Sequence, residues 1–592
     1  MIFTLPPHCQ RVLGPDKNLR LLEEMARSIE WPDKRLVEDL MFGFPLLGDL
    51  PRAGILPAIP YPAMPHSADA LSKQCGAQNE AMLARINRPV HVQRDIQEAF
   101  EAKCSQEVVD RKAWWTRLAP VETIISQRFP ALEGWKKGDD GRSTPKVRLI
   151  DDFSASLVNS ATAVGEPMPV DTLDTLVDVA RALAQNNPNE CKLIFRKEDF
   201  KGAFKSLPLL SAHLPFAVVS WRSALAQNKG LQLLCCPFGS CASVYSWHRL
   251  GSFFQALLAR ELLVAYPRFV DDLFSADPES AGGSALTGPN GAAQSAQELL
   301  EIAGWELEPA KRVRCASEAT MLGVETSSCP GALIFEIGFS KREKWLQTIH
   351  GALESDFLRP AEAKRLAGRL NWAGSAVFGR GARAYLAALH WQANRRAGAL
   401  TARVRTALRW WARFLQESPK RRILLAPAVV QRCVVYTDAA GDGAIAFAAV
   451  HPQFRAWSAT WVPRAAWDWA LPRRTQIVLW ELVAAVCAVE FLIGHGLSDC
   501  EIVLFVDCNP ALQALVRGAS RQADINDMVT GVWFRVARAG ILLHAFRVPS
   551  KLNIADGPTR WETWDAAASE LQARDFKWIS WAWPAALPWL PE

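Results

Sequence analysis

Four apolar runs with the composition of β-strands end on acidic residues, and this pattern limits the folds open to the chain. The runs LIFRKED, RFVDD, CVVYTD and EIVLFVD end on Asp199, on Asp271 and Asp272, on Asp438 and on Asp507. Carboxylates among apolar strand residues are costly to bury unless a partner neutralises them. Hard cations such as Mg²⁺ bind carboxylate oxygens, and two such ions support in-line phosphoryl displacement. The pattern therefore predicts α/β and α+β domains with metal-binding sites at strand ends.

The length of 592 residues predicts three or four domains, because single cores rarely grow beyond about 250–300 residues. A hydrophobic content of 49% with 22% charged residues is typical of a soluble globular protein. The 13 cysteines lack CxxC spacing, which favours free thiols over a zinc site or disulfides. Composition and periodicity predict five segments: an N-terminal region with Pro-rich coil (1–110), a mixed α/β domain (111–335), a helical basic segment (336–430), a strand-rich α/β domain (431–562) and a Trp/Pro-rich tail (563–592).

Neither a membrane span nor a secretory signal is expected from the sequence. No apolar run reaches the about 20 residues that a bilayer requires. The nearest candidate, Leu479 to Leu497, contains Glu481 and Glu490. The first residues, MIFTLPPHCQ, lack the pattern of a cleaved signal. We therefore expect no membrane partner and an intracellular location, in the cytoplasm, the nucleus or both.

Positive charge is concentrated in the helical basic segment. The formal net charge is +6, yet residues 359–422 alone carry fifteen Lys or Arg against Glu362 and Glu417. Such a concentration in a nearly neutral protein indicates a polyanionic partner. A set of solvated helix faces is the alternative. Tryptophans lie between these arginines, namely Trp372, Trp391, Trp410 and Trp411. This mixture favours nucleic acid, because aromatic rings stack on bases beside phosphate contacts.

Short motifs around the first acidic residues resemble those of reverse transcriptases, in the order of that family. The matching motifs are Asp199-x-x-x-Ala203-Phe204, Pro237-Phe238-Gly239 and Phe269-Val270-Asp271-Asp272. Residues 146–153 are similar to the family's fingers strand, and residues 304–311 and 321–323 to its closing palm motifs. Several motifs in one order form a specific signal. The resemblance implies a right-hand polymerase, with fingers and palm over 111–335 and a thumb and connection over 336–430.

The resemblance also implies roles for the matched charged residues. Asp199, Asp271 and Asp272 would hold two Mg²⁺ or Mn²⁺ ions, with Asp272 the least direct ligand. Lys146 and Arg148 would bind the incoming triphosphate, the first as a point charge and the second as a bidentate fork.

The remaining matched residues would shape the nucleotide pocket beside Ala203. Phe204 would lie under the sugar and exclude a 2′-hydroxyl, which implies deoxynucleoside triphosphates as substrates. Phe238 stands where retroviral enzymes commonly have glutamine, and Gly239 would let the backbone approach the template–nucleotide pair. Lys311 would donate a proton to pyrophosphate.

A second set of acids lies within residues 431–562. Asp438 and Asp507 end strands, Glu481 opens a predicted amphipathic helix, and Asp556 follows the run ILLHAFRV. Such a set can converge on two ions for phosphodiester hydrolysis. In order and context it resembles the Asp-Glu-Asp-Asp set of ribonuclease H domains, which implies a second pair of Mg²⁺ or Mn²⁺ ions.

The end of this domain is closest in style to DIRS-like retroelements. Asn553-x-x-Asp556 matches their final motif, but Arg547-Val548-Pro549-Ser550 replaces His-Ile-Pro-Gly. The histidine that would assist product release is therefore missing, and His544 falls in the predicted strand. This difference puts the rate of cleavage in doubt more than the site.

Together these resemblances imply an RNA-directed DNA polymerase with ribonuclease H activity, from a retrotransposon-like element. Its partners would be an RNA template, a DNA primer and product, and an RNA–DNA hybrid. One alternative is a domesticated or inactive reverse-transcriptase-like protein that binds nucleic acid without turnover. The complete set of carboxylates argues against it, since a pure binder gains from losing acids near phosphates. A splicing factor or maturase is the other alternative, but those families lack the ribonuclease H segment.

Overall fold

The computed structural model describes residues 5–88, 92–118, 123–137, 143–186, 192–281, 291–418, 420–425 and 431–580. The chain divides into two compact units. The first comprises residues 1–180 and 194–316, and the second residues 181–193 and 317–592.

Helices cover much of the described chain as far as residue 302. They are α1 (Pro7–Leu13), α2 (Leu19–Ser28), α3 (Leu36–Phe42), α4 (Ala68–Ile86), α5 (Arg94–Val109), α6 (Leu173–Asn186), α7 (Cys241–Glu261) and α8 (Ala292–Ile302). Helix α7 is the central one, because Trp247, Phe253 and Phe254 are all buried along its length. A helix that is apolar around most of its circumference belongs in a core.

Two larger sheets of the first unit carry the predicted fingers and palm motifs. In the described residues the first has the order β2-β8-β7-β3-β4 and the second the order β11-β6-β10-β9. The strands of the first are β2 (Ala113–Trp115), β3 (Ile125–Lys137), β4 (Ser143–Asp152), β7 (Val218–Arg222) and β8 (Asn228–Leu233). Those of the second are β6 (Leu193–Asp199), β9 (Arg268–Phe269), β10 (Asp272–Pro278) and β11 (Val313–Ala316).

The N-terminal region is part of the core of the first unit. Arg249 of α7, only 1% exposed, donates two hydrogen bonds to Asp33, at 2.7 and 3.0 Å, and one to Asp39 at 2.6 Å. Within the predicted Pro-rich coil, β1 (Gly48–Leu50) pairs in parallel with β5 (Thr162–Val164). The sequence did not indicate this strand, since its pairing depends on a partner more than 100 residues away.

The second unit begins with an antiparallel sheet and a helical segment. The sheet has the order β12-β13-β14-β15 in the described residues. Its strands are β12 (Glu318–Met321), β13 (Val324–Cys329), β14 (Ala332–Glu336) and β15 (Arg421–Leu424). The helices are α9 (Phe339–Glu354), α10 (Pro360–Ala373), α11 (Arg383–Ala393) and α12 (Ala402–Glu417). Residues 336–430 thus contain these four helices, with β15 after the last of them.

A mixed sheet forms the rest of the second unit, with the order β20-β19-β16-β17-β18-β21 in the described residues. Its strands are β16 (Arg432–Ala439), β17 (Ala444–His451), β18 (Phe454–Trp461), β19 (Glu501–Val506), β20 (Leu542–Arg547) and β21 (Lys577–Trp578). The associated helices are α13 (Arg464–Trp469), α14 (Ile477–Gly494), α15 (Asn509–Arg517), α16 (Ala523–Arg538) and α17 (Trp564–Ala573). Strands β16, β19 and β20 run parallel, whereas β17 is antiparallel to both of its neighbours.

Helix α14 is more deeply buried than its sequence indicated. Its residues from Leu479 to Val489 are all buried, so the helix that was expected to be amphipathic is in fact a core helix. In the described residues it is the one helix whose length and composition would suit a bilayer, and most of it is buried inside the unit.

The predicted fold class is confirmed at the level of its architecture: the chain is a multidomain protein of α/β and α+β type. In the predicted tail, β21 follows the helix α17 and extends the last sheet by pairing in parallel with β18, and residues 581–592 lie outside the described residues.

Candidate active sites

The first cluster of carboxylates lies where β6 ends and the hairpin of β9 and β10 turns. Asp199 is the last residue of β6, a neighbour of β10 in the sheet. Asp271 lies in the two-residue loop of the hairpin, since Phe269 pairs with Asp272. The backbone N–H of Phe200 donates to the carbonyl of Asp271 at 3.4 Å, which brings the end of β6 beside the loop.

Burial and mutual repulsion perturb these acids. Burial, together with the charge of Asp199, raises the pKa of Asp271 to about 6. Burial also raises the pKa of Asp199, although an ion pair with Lys311 opposes that shift. The carboxylate of Asp272 lies 3.4 Å from the amine of Lys197. Lys311 therefore serves as a counter-ion of the cluster in this structure.

Lys146 and Arg148 are exposed on β4 and share an acidic partner. Glu133 on β3 lies 3.1 Å from the amine of Lys146 and 2.5 Å from the guanidinium of Arg148. The pairing register of β3 and β4 shifts between Leu132 and Gly134, so Glu133 occupies an irregularity. Glu133 is absent from the residues that the sequence motifs single out. A triphosphate would have to compete with it for both cations.

Phe204 and Phe238 form an aromatic pair. Their ring centroids are 5.0 Å apart at an interplanar angle of 76°, an edge-to-face contact. Phe204 and the neighbouring Ala203 are buried, whereas Phe238 is 43% exposed. The amine of Lys205 lies 5.9 Å from the centroid of the Phe238 ring. The residue expected to select the sugar, Phe204, is thus a buried ring packed against the ring of Phe238.

The backbone at position 239 requires glycine. Its φ is +86°, and an added Cβ would lie 2.3 Å from the carbonyl oxygen of Asp151. Asn159 holds the segment from both sides, because its amide donates to the carbonyl of Gly239 at 2.9 Å and accepts from the N–H of Cys241 at 3.1 Å.

A buried ion network supports this region, and sequence analysis missed it. Arg128 on β3 donates to both carboxylate oxygens of Asp151, at 2.6 and 2.8 Å, and to Glu107 at 2.5 Å. Lys205 also binds Glu107, at 2.6 Å. Asp151 lies in the predicted fingers motif, but its partners are distant in the sequence, so no local signal could identify them.

The second cluster is compact. Asp438, Glu481 and Asp507 each offer a carboxylate oxygen, and the three oxygens lie within 4.8 Å of one another. Asp438 lies in β16 near its end, Asp507 directly follows β19, and Glu481 lies in the second turn of α14. Because β16 and β19 are adjacent and parallel, their carboxyl ends meet at one edge of the sheet.

The surroundings of this cluster favour a divalent cation. Burial and the charges of Asp438 and Asp507 raise the pKa of Glu481 to about 10, and burial raises that of Asp438 to about 7. Among the residues that the structure describes, the buried Oε2 atom of Glu481 has no hydrogen-bond partner. Acids that crowd together with an unsatisfied oxygen fit the donor set of Mg²⁺ or Mn²⁺.

Polar groups orient Asp438 from the other side. Thr559 donates its hydroxyl to one carboxylate oxygen at 2.6 Å, and the Asn553 amide approaches the other at 3.2 Å. Asn553 also donates to the carbonyl of Thr437 at 3.0 Å. Thr559 was not identified from the sequence, and its neighbours in the chain gave no signal.

Asp556 is not in the compact group, although its charge raises the pKa of Asp438. Its carboxylate pairs with Arg560 at 2.7 Å. His544 lies in β20 and faces Glu501 at 3.5 Å, at the start of β19 and away from Asp507. Arg547 is exposed at the end of β20 that pairs with the end of β19.

The helical basic segment meets the expectation of a nucleic-acid surface only in part. Arg396 and Arg403 are exposed, but Arg405 pairs with Asp356 at 2.6 Å. The expected stacking role is wrong for Trp411, which is fully buried because α12 turns this ring into the core.

Trp391 is 43% exposed and carries the guanidinium of Arg395 at 4.7 Å from its ring centroid. Trp410 stacks on Phe414 at 4.7 Å between centroids. Trp391 is therefore an exposed ring beside the cation of Arg395. The ring of Trp410 already stacks on another ring of the same chain.

No protein-family model matches the chain, and no curated protein matches its sequence. Its fold is similar to solved structures of foamy viral protease–reverse transcriptases. One, a dRH form in complex with double-stranded DNA, shares 12% identity over 89% of this chain and 81% of that chain, with a TM-score of 0.40. One with an RNA/DNA hybrid shares 11% over 78% of this chain and 54% of that chain, with a TM-score of 0.39. Another with double-stranded DNA shares 11% identity over 92% of this chain and 98% of that chain, with a TM-score of 0.40.

Proposed function

We propose that the chain is an RNA-directed DNA polymerase with ribonuclease H activity, from a retrotransposon-like element. The observation that carries this proposal is the presence of two separate acidic clusters, one in each compact unit, each at the carboxyl end of a buried strand. Each cluster offers the hard oxygen ligands that phosphoryl-transfer enzymes use to hold divalent cations.

In the first site the chain's own residues would bind and orient the nucleotide. Asp199 and Asp271 would hold the cations, with Asp272 beside them. When bound, two ions activate an attacking hydroxyl and stabilise the leaving oxygen. Lys311 is already at the cluster and would exchange its contact with Asp199 for one with the leaving pyrophosphate. Lys146 and Arg148 would leave Glu133 to bind the triphosphate.

Sugar selection would depend on Phe204. Its ring is buried against Phe238, so it cannot move aside without disturbing that contact. A 2′-hydroxyl above it would lose its hydration without gaining a hydrogen bond, which is costly. We therefore assign deoxynucleoside triphosphates as the substrates.

In the second site Asp438, Glu481 and Asp507 would hold the cations, and Asp556 would complete the set. Asn553 and Thr559 would fix the orientation of Asp438. Arg547 would contact a phosphate at the rim, where a histidine would otherwise move a proton. The expected result is slow release of product from a competent site.

The experiment is a pair of assays on the full chain with Mg²⁺ and with Mn²⁺. One measures extension of a DNA primer on an RNA template, and the other measures cleavage of labelled RNA in a hybrid with enzyme in excess. Asp271→Asn should abolish extension and leave cleavage intact, whereas Asp438→Asn should do the reverse, because distant sites act independently. Each variant is the control for the other.

Loss of both activities in either variant would contradict the assignment of separate sites. A wild-type chain that binds hybrid but neither extends nor cleaves would identify the domesticated binder instead. Extension without any cleavage in either metal would remove the nuclease half of the proposal.

A further inference from the structure

In the loop that contains Asp271, the β-branched residue Val270 has a backbone conformation that favours glycine. Val270 is the first residue of the two-residue hairpin loop, with φ at +57°, and Asp271 is not among the residues with positive φ. Two-residue hairpin loops with this pattern prefer glycine at the first position. A β-branched residue with positive φ is an outlier that persists only where the surroundings impose it.

Two buried donors hold the carbonyl of Val270. The indole N–H of Trp247 donates to this oxygen at 2.8 Å, and the guanidinium of Arg268 donates to it at 2.6 Å. Both side chains are buried, and Trp247 belongs to the central helix α7. The carbonyl lies in the peptide between Val270 and Asp271, and rotation of that peptide distinguishes the alternative hairpin turns.

The guanidinium of Arg268 is itself fixed by α7. Its other donors reach the hydroxyl of Ser252 at 3.0 Å and the Nδ1 atom of His248 at 3.2 Å. Gly251 makes room for it, because a Cβ there would lie 2.9 Å from three guanidinium atoms. The backbone of Arg268 is held by Asp171, which accepts from its N–H at 2.7 Å.

We propose that Trp247 and Arg268 are positioning residues, which lock the Val270–Asp271 peptide and thereby aim the carboxylate of Asp271 at its cation. The proposal rests on the function proposed above for the first site. Both residues are buried, and both act through the Val270 carbonyl. Their removal should let the peptide rotate, so that Asp271 loses its fixed direction while the core of the unit remains.

The test is a double-mutant cycle between Trp247→Phe and Val270→Gly. Trp247→Phe removes the indole N–H and keeps an aromatic ring. Loss of one hydrogen bond should weaken metal binding and slow extension by about 3- to 10-fold. Glycine tolerates positive φ, so the same substitution in a Val270→Gly background should cost less than about 2-fold. Trp305→Phe is the matched control, since that buried indole donates to Ser206 at 3.2 Å, away from the hairpin.

The readouts are Mn²⁺ binding by paramagnetic resonance, the metal dependence of primer extension, and thermal unfolding. Binding is measured without nucleotide, in a chain whose second site is silenced by Asp438→Asn. Trp247→Phe and Trp305→Phe should lower the unfolding temperature alike, yet only the former should weaken Mn²⁺ binding. Arg268→Lys, which keeps a donor, should be less impaired than Arg268→Met.

We call the two hydrogen bonds from Trp247 and Arg268 to the Val270 carbonyl the clamp. Two results would overturn it: equal metal affinities of the two tryptophan variants, or effects of Trp247→Phe and Val270→Gly on metal binding that simply multiply. If the wild type binds Mn²⁺ in a clamp-dependent way but extends no primer, the proposed polymerase function fails and the clamp stands. If it extends primers without any effect of Trp247→Phe, the clamp fails and the polymerase stands.

Discussion

Glu481→Gln should stabilise the metal-free protein while abolishing RNA cleavage. Burial, together with Asp438 and Asp507, raises the pKa of Glu481 from 4.5 to about 10. Below pH 4.5 the folded and unfolded chains both hold the proton, so no difference arises. Above that pH the unfolded chain releases a proton that the folded chain retains, and the free energy of unfolding falls by about 1.4 kcal/mol per pH unit.

At pH 7.5, about three units above the ordinary value, this penalty is at most about 4 kcal/mol. Glutamine carries no charge and therefore avoids it. The gain of the variant over wild type should be absent near pH 4.5 and should grow steadily toward pH 9. Excess Mn²⁺ should stabilise the wild type, by about 2.7 kcal/mol at 100 times the dissociation constant, and the variant far less.

Hydrogen exchange of the amides of Ile477–Gly494 is the suitable assay, because it reports the opening of this core helix within the full chain. Glu490→Gln is the matched control on the same helix, since Glu490 pairs with Arg535 and its loss should not stabilise. The reasoning would be refuted by a metal-free Glu481→Gln chain that is no more stable than wild type at any pH from 5 to 9.

Three other perturbations test separate parts of the structure. Phe204→Ala should admit ribonucleotides and keep deoxynucleotide use, as single-nucleotide incorporation assays would detect; equal use of both sugars by the wild type would remove the gate. Reversing Arg396 and Arg403 to Glu should weaken hybrid binding and lower its salt slope by about one unit per lost phosphate contact, and an unchanged slope would mean a solvated face. Arg249→Met should destabilise the first unit by about 3–5 kcal/mol in thermal or chemical unfolding, since it removes the buried cation that Asp33 and Asp39 share and, within the described residues, leaves Asp39 only its contact with Arg35 at 3.5 Å; a loss under about 1 kcal/mol would show that the N-terminal region does not depend on this ion cluster.

The strand ends that carry the acids could be predicted from the sequence, because each acid follows an apolar run that must be buried. Asp199 and Asp507 illustrate this, since β6 and β19 end at or just before the expected residues. The local pattern also placed His544 inside a strand. Such features depend on neighbours in the chain, which the sequence displays directly.

Partners distant in the sequence could not be predicted. Nothing near Lys146 or Arg148 indicates that Glu133 would bind both, because the contact requires the irregular register of β3 and β4. The same holds for Arg128, whose two acidic partners lie on α5 and β4. The burial of Trp411 was missed because a basic helix with interleaved aromatic residues looks alike whether its rings face solvent or the core.

The two clusters differ in how their charge is balanced, and this difference has a consequence for the metal-free protein. At the first, Lys311 and Lys197 lie beside Asp199 and Asp272, so the acids are partly neutralised from within the chain. At the second, Asp438 is held by an amide and a hydroxyl, and burial raises the pKa of Glu481, which favours its protonated form. A lysine can move from carboxylate to phosphate when a phosphate ligand arrives, which suits the triphosphate exchange that we propose for the first site. A proton offers no such exchange, so the second site depends more heavily on a cation for its ionised form.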